Sequence, residues 1–179
     1  MAKISNTSAY PSISNLDPAD YLVITDAENS LMTKTATISQ IQSLFGIDTF
    51  VAKVAINSAS LLTLNTTAAT LIPAPGALKV LDVLSIMFYL DAGSVAYDFG
   101  TGALPIKIGS EQIASIPNSN TTINSATDAV FKPEVPSGTN EIIAQNTALT
   151  LEAQANPTQG SGVLYANVFY RVLTVGSTF

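Results

Sequence analysis

Short apolar runs, separated by turn-forming clusters, fill the sequence from about residue 47 to residue 179. In the longest run, Val163 to Val175, alternate residues such as Leu164, Ala166 and Val168 fall on one side of an extended chain. Pro, Gly, Asn and Ser, which favour turns, lie between the runs. Strands of this kind with few helical patterns predict a mainly β protein, an antiparallel β-sandwich with a jelly-roll-like arrangement.

Other segments have the composition of strands, and Pro105 lies in one of them. Because proline cannot donate a hydrogen bond to a neighbouring strand, the run around Pro105 is predicted to lie at a sheet edge. Residues 58–64 predict a single helical turn. The further strand-like runs are Phe50 to Asn57, Thr70 to Ile72, Leu78 to Leu90, Leu104 to Ile108 and Thr147 to Ala153.

The long strands are apolar on both faces, although a sandwich buries only one face of each sheet. Residues 163–173 carry valine, tyrosine and phenylalanine on the face opposite Leu164 and Ala166. A subunit interface would bury this second apolar face. The sequence therefore predicts an oligomer, and we expect a homotrimer.

The first 46 residues follow a different pattern and predict a separate N-terminal region. Residues 1–20 are polar, contain two prolines and predict an extended arm. The runs Tyr21 to Thr25 and Leu31 to Thr37 predict a β-hairpin. Thr37 and Gln40 have the spacing of a capping box at the start of a helix, and Gly46 fits its C-terminal end.

This N-terminal region is too small to bury a core of its own. Chains below about 40 residues rarely fold without disulfides, metals or a partner, and the sequence contains no cysteine. Its apolar face must pack on the second domain, on a sister subunit or on a different protein. If it is an anchor, the residues expected to bind the partner are Tyr21, Val23, Ile38, Ile41, Leu44 and Phe45.

Charge and hydropathy exclude several classes of partner. Charged residues make up only 11% of the chain, the net charge is −6, and the six lysines are scattered with a single arginine, Arg171. A nucleic-acid site needs clustered cations, so no nucleic acid is expected. No apolar run approaches the length of about 20 residues that spans a bilayer, so no membrane partner is expected. The N-terminus lacks the apolar run of a secretory signal, and synthesis in the cytoplasm is predicted.

The absence of cysteine and histidine removes most hydrolytic mechanisms. A Ser-His-Asp triad, a thiol nucleophile and a His/Cys zinc site are excluded. The carboxylate pairs Asp91/Asp98 and Glu134/Glu141 have the residue type of a glycosidase, but solvated turn residues explain them better. The sequence therefore predicts no enzyme, no cofactor and no metal.

Four tyrosines raise the possibility of a sugar-binding surface. Aromatic residues make up only 7% of the chain and tryptophan is absent, so packing in the core or at an interface explains them better. These residues are Tyr89, Tyr97, Tyr165 and Tyr170.

Several turn and strand blocks carry a resemblance to a known class of proteins. The blocks are residues 71–80 (LIPAPGALKV), 88–97 (FYLDAGSVAY), 146–151 (NTALTL), 157–162 (PTQGSG) and 168–172 (VFYRV). Together they resemble a domain of virion structural proteins of tailed bacteriophages, including head-decoration and head-fibre proteins.

The N-terminal region carries a second resemblance. Residues 20–26 (DYLVITD), residues 33–35 (TKT) and the helix that follows are similar to virion-attachment segments of phage fibre and decoration proteins. The resemblance implies a particle component and transfers no catalytic residue.

The expected function is therefore that of a capsid decoration or head-fibre protein. It would dock on the major capsid protein, or on another virion protein, through residues 1–46, while residues 47–179 form the sandwich. The alternative is a tail fibre, a tail adaptor or a lectin-like module that binds the host surface. In either case the protein is expected in the virion, after synthesis in the host cytoplasm.

Overall fold

The computed structural model divides the chain by its backbone contacts into two compact units, Met1–Asp48 and Thr49–Phe179. The residues that the structure describes are 20–26, 32–38, 40–41, 49–100, 102–117, 122–134 and 144–176. Residues 1–19 of the predicted arm 1–20 lie outside them, as do Leu44, Phe45 and Gly46 at the end of the predicted helix.

The first unit contains the predicted hairpin. Strands β1 (Tyr21–Asp26) and β2 (Met32–Thr37) are antiparallel and in register throughout. Ile38, Gln40 and Ile41 are helical. The Thr37 backbone N donates to Gln40 Oε1 at 2.9 Å, and the Gln40 backbone N donates to Thr37 Oγ1 at 3.2 Å. These reciprocal hydrogen bonds confirm the predicted capping box.

The described residues of the second unit form two antiparallel sheets of four strands. The first sheet has the order β3-β10-β5-β8 and the second sheet has the order β4-β9-β6-β7. The short helix α1 (Ser58–Leu61) confirms the predicted helical turn. The strands are β3 (Thr49–Ile56), β4 (Ala69–Ile72), β5 (Lys79–Ala92), β6 (Leu104–Ile108), β7 (Glu111–Ile116), β8 (Ala129–Phe131), β9 (Leu149–Leu151) and β10 (Gly162–Thr174).

This strand order follows from rolling up one long hairpin. In a chain folded back on itself, β3 lies opposite β10, β4 opposite β9, β5 opposite β8 and β6 opposite β7, and all four pairs are hydrogen-bonded. Two further pairings, β10 with β5 and β9 with β6, join these pairs into two sheets. Nested pairing across two sheets is the arrangement of a jelly roll, and the predicted fold is confirmed.

The hydrophobic core lies between the inward faces of the two sheets. Phe88 and Leu164 from the first sheet, and Ile106 and Leu149 from the second, are completely shielded from solvent. The buried set also includes Ala166 and Val168, so the alternation predicted for the last strand is confirmed. Burial of this apolar surface, at about 25 cal/mol per Å², holds the sheets together.

The prediction that Pro105 marks an edge strand is wrong. Strand β6 lies inside the second sheet, between β9 and β7. Proline is accommodated because the ladder with β9 begins only at Ile106, which pairs with Leu151. The Pro105 carbonyl accepts from the Glu152 backbone N, 3.0 Å away, just beyond the end of β9. The backbone N of Pro105 therefore lies beyond the β6–β9 ladder, and its lack of a hydrogen removes no bond from that ladder.

Two loops are joined at the end of the sandwich where β5 stops and β10 begins. The Ser161 backbone N donates to the Val95 carbonyl at 2.8 Å, and the Val95 N donates to Ser161 Oγ at 3.0 Å. The Tyr97 hydroxyl donates to the Gly162 carbonyl at 3.0 Å, and burial raises the pKa of this phenol. These bonds fix the end of β5 against the start of β10.

The Tyr97 ring packs directly on the backbone of Gly160. A Cβ at Gly160 would lie 2.0 Å from a ring carbon, and the φ angle of +147° is one that side chains rarely allow. We expect Gly160→Ala to lower the free energy of unfolding by more than about 3 kcal/mol, measured by urea denaturation.

Gly76→Ala is the matched control for this substitution. Gly76 also has a positive φ, +103°, but a Cβ there would meet nothing within 4 Å. We expect a loss of only about 1 kcal/mol from backbone strain. Equal losses in the two variants would show that packing against Tyr97 does not matter.

Candidate interaction surfaces

The hairpin of the first unit exposes a pair of large apolar side chains. Tyr21 is 71% exposed and Val23 is 73% exposed. They lie two residues apart on β1 and therefore on the same side of the hairpin, beside their cross-strand partners Thr37 and Thr35. We call Tyr21, Val23 and Thr35 the hairpin face.

The structure brings some of the predicted anchoring residues together. Tyr21 and Val23 are neighbours on the hairpin face, and the Ile38 backbone N donates to the Asp20 carbonyl at 3.0 Å, beside the start of β1. Ile38 and Ile41 are partly exposed, on a helical segment. The other two anchoring residues, Leu44 and Phe45, lie outside the described residues, and binding by all six stays a prediction.

A second apolar surface covers the side of the first sheet that points away from the core. In an antiparallel sandwich this side normally faces water and is polar. Here Val130 is 63% exposed, and Val51, Tyr165 and Phe169 are exposed as well. We call this surface the outer face. Its residues are Val51, Lys53 and Ala55 of β3; Val163, Tyr165, Asn167 and Phe169 of β10; Ser85, Met87, Tyr89 and Asp91 of β5; and Val130 of β8.

Tyr89 and Tyr165 form the centre of the outer face. They are cross-strand partners, and their rings stack with centroids 5.9 Å apart and planes 21° apart. The Tyr89 hydroxyl donates to Asp128 Oδ2 at 3.1 Å, and Asp128 Oδ1 accepts from the Ala92 N at 2.9 Å. The hydrogen bond to Asp128 raises the pKa of Tyr89, because the ionised phenol would lose the shared proton and face a carboxylate.

Two opposite charges flank this tyrosine pair. Lys53 lies beside Asn167 on one side of β10, and Asp91 lies beside Val163 on the other side. Both side chains are exposed, and neither has an ion-pair partner among the residues that the structure describes. By contrast, Arg171 further along β10 pairs with Asp82, with Nε and Oδ2 2.9 Å apart.

A β-bulge ends the regular part of the outer face. The register between β10 and β5 shifts after Phe169, which pairs with Ser85, whereas Tyr170 pairs with Val83. Leu84 is the extra residue, and its side chain is exposed. The bulge keeps Val83 and Tyr170 directed at the core while it adds an apolar side chain to the surface.

The remaining candidate residues do not assemble into a site. Tyr97 is buried and Tyr170 packs against Phe50, with ring centroids 5.6 Å apart, so only two of the four tyrosines share a surface. Asp98 Oδ1 accepts from the Gly100 N at 3.0 Å, as a turn residue does. The described parts of the chain contain no cluster of three or more metal-binding side chains.

In those same parts, no helix is long and apolar enough to cross a bilayer.

Comparison with known proteins finds similarity to a solved structure. No protein-family model and no curated protein matches the chain. Among solved structures, a chain of the cyanophage Pam1 capsid asymmetric unit is similar, with 17% sequence identity and a TM-score of 0.39. The similarity covers 69% of this chain and 82% of that chain. A similarity of this size is too low to carry an argument about function.

The link between Tyr89 and Asp128 can be tested by titration. We expect Asp128→Asn to lower the pKa of Tyr89 toward its usual value near 10, measured by NMR of ¹³Cζ-labelled tyrosine. Because the folded-state pKa lies above the unfolded value, the bond stabilises the fold below about pH 10. This contribution disappears as the pH rises through the folded-state pKa, so the wild-type protein should lose more stability than Asp128→Asn in alkali.

Asp98→Asn is the control, since within the described residues the Asp98 carboxylate accepts only from the turn N–H of Gly100. A Tyr89 titration curve that Asp128→Asn leaves unchanged would contradict the assignment.

Proposed function

We propose that this protein is a structural component of a tailed-bacteriophage particle, of the capsid decoration or head-fibre type. The observation that carries the proposal is the hairpin face, where Tyr21 and Val23 stand exposed side by side in a unit of their own. Surface clusters of this kind are costly in water unless a partner covers them. The sequence resemblance of the same segment to virion-attachment segments supports a shell protein as that partner.

The chemistry of the hairpin suits binding to another protein. Tyrosine is enriched at the centres of protein interfaces, because its ring buries a large apolar area and its hydroxyl can still bond. The side chains of Tyr21 and Val23 are worth roughly 1.5–3 kcal/mol each when fully buried. Ile38, Ile41, Leu44 and Phe45 are proposed to extend this contact along the helix. The partner is the major capsid protein or another virion protein.

The jelly-roll unit supports the same proposal in a more general way. Eight-stranded jelly rolls are common in viral capsid proteins and in lectin domains, and the fold itself does not fix the function. The low charge of the chain, 11% of its residues, suits a protein that works in an assembly. The acidic net charge of −6 argues against a nucleic-acid or anionic-membrane partner. The proposed role is mechanical and needs no catalytic residue, cofactor or metal.

We propose a homotrimer as the assembled form. Several copies in one assembly would present several hairpins to the shell, and each hairpin after the first binds at high effective concentration. A weak individual contact would then give durable attachment. The protein would clamp neighbouring shell subunits and stabilise the capsid in the virion.

A tail fibre, a tail adaptor or a lectin-like module that binds the host surface is the alternative assignment. In that case the hairpin face would bind a tail protein instead of a shell protein. Electron microscopy of particles that carry labelled protein distinguishes the two assignments. Label on the head supports a decoration or head-fibre protein, and label on the tail supports the alternative.

Substitution of the hairpin face tests the anchor directly. We expect the double variant Tyr21→Thr/Val23→Thr to bind particles at least tenfold more weakly, measured by co-sedimentation with particles assembled without this protein. Threonine keeps a high strand propensity, so the hairpin should persist while its apolar contact is lost.

The control is Leu78→Asn. Leu78 is 63% exposed in the second unit, and its φ of +59° is one that asparagine adopts more readily than leucine. Equal particle binding by the hairpin variant and the control would refute the anchor.

Removal of residues 1–46 tests whether particle binding depends on these residues while the second unit folds without them. We expect the shortened protein to keep a cooperative thermal transition, since the buried core lies within the second unit. We expect it to lose particle binding completely. Undiminished decoration of particles by the shortened protein would contradict the proposal.

A further inference from the structure

The outer face of the first sheet combines apolar and charged residues in a self-complementary pattern. Along β10, the aromatic residues Tyr165 and Phe169 form a central strip, with Val51 on the β3 side and Val130 on the β8 side. An exposed apolar area of this kind on a sheet marks an interaction surface. Lys53 and Asp91, which have no ion-pair partner within the described parts of the chain, indicate what that surface binds.

Lys53 and Asp91 are placed symmetrically about Tyr165. Lys53 lies one strand to one side, level with Asn167, and Asp91 lies one strand to the other side, level with Val163. Tyr165 is midway between Asn167 and Val163 on β10. From strand spacings of about 4.8 Å and a rise of about 3.4 Å per residue, the two Cα atoms are roughly 17 Å apart. This distance prevents an ion pair within one chain.

We propose that the outer face joins copies of this chain, with Lys53 of one copy paired to Asp91 of the next. When two such faces meet at Tyr165 about a two-fold axis that lies between them and is perpendicular to the line from Lys53 to Asp91, their strands cross at roughly 70°. Each lysine then lies opposite the aspartate of the other copy, and the apolar side chains around the two tyrosines bury each other. Charge complementarity thus selects a second copy as the occupant, because the face supplies its own complement.

The apolar strip and the charges have different parts in this contact. Burial of the aromatic and aliphatic side chains supplies most of the affinity, as in the centres of other interfaces. The Lys53–Asp91 pair fixes the register, since a misaligned pair of faces would leave both charges buried and unpaired or would oppose like charges. For a chain with a net charge of −6, an attractive pair at the contact also offsets the repulsion between copies.

The inference goes beyond the proposed homotrimer, because a two-fold contact joins copies in pairs, and it does not depend on attachment to a shell. The hairpin variant Tyr21→Thr/Val23→Thr should associate with itself like the wild-type protein. A wild-type protein that self-associates through the outer face but never binds particles would contradict only the proposal that the hairpin is an anchor. The proposal for the outer face would stand.

Charge reversal in the full-length protein tests the pairing. We expect Lys53→Glu and Asp91→Lys each to weaken self-association at least tenfold, measured by sedimentation velocity over a range of protein concentrations. The double variant Lys53→Glu/Asp91→Lys restores an attractive pair with reversed signs, and we expect association within threefold of the wild-type value.

Lys79→Glu is the matched control. Lys79 is exposed at the opposite end of β5, in the register that points away from the outer face, opposite Thr174. We expect it to associate like the wild-type protein, and thermal melting of every variant checks that the fold is retained.

Mixing the two single variants gives an independent readout. Each Lys53→Glu copy can then contact an Asp91→Lys copy with attractive charges on both sides. We expect the mixture to associate within threefold of the wild-type value, because both ion pairs of the mixed dimer are attractive.

Three results would overturn the inference. The first is a wild-type protein that is monomeric at all concentrations. The second is an oligomer that neither single reversal weakens. The third is a failure of both the double variant and the mixture to recover association after the single reversals have weakened it.

Discussion

Strand β10 is the element on which both the core and the outer face depend. It is hydrogen-bonded to β5 along its whole length and to β3 along most of it, so three long strands share one register. Its inward residues, Leu164, Ala166 and Val168, are fully buried, while Tyr165 and Phe169 on the other side are exposed. A shift of one residue in this register would exchange the two sides and destroy the core. The position of the outer aromatic residues is therefore fixed by the packing of the inner ones.

The parts of the fold that depend on neighbours in sequence could be predicted, and those that depend on distant partners could not. Two features that were predicted correctly depend on residues two or three positions apart: the capping box of Thr37 and Gln40, and the alternation of β10. The strand order arises from pairings between opposite ends of the unit, such as β3 with β10, and no local pattern records it. Pro105 shows the same limit. The edge-strand prediction for proline assumes that a neighbouring strand would need its N–H, and the sequence does not reveal that β9 ends before it reaches Pro105.

The outer face illustrates this limit at a candidate site. The apolar character of both faces of β10 is visible in the sequence and predicts a second buried surface. The relation between Lys53 and Asp91 is not visible, because they are far apart along the chain and become symmetric about Tyr165 only through the two registers of β10. Of the hairpin residues, Tyr21 and Val23 were predictable as a pair from alternation alone.

The two proposed contacts, through the hairpin face and through the outer face, would contribute to attachment in different ways. A contact made by two or three side chains of a small hairpin is worth only a few kcal/mol, too little for a lasting attachment of one copy. Association through the outer face would collect several hairpins in one assembly, and each would then bind at an effective concentration far above that of free copies. The two proposals therefore support each other: self-association would make weak anchors sufficient, and each anchor could then remain too small to bury a core of its own.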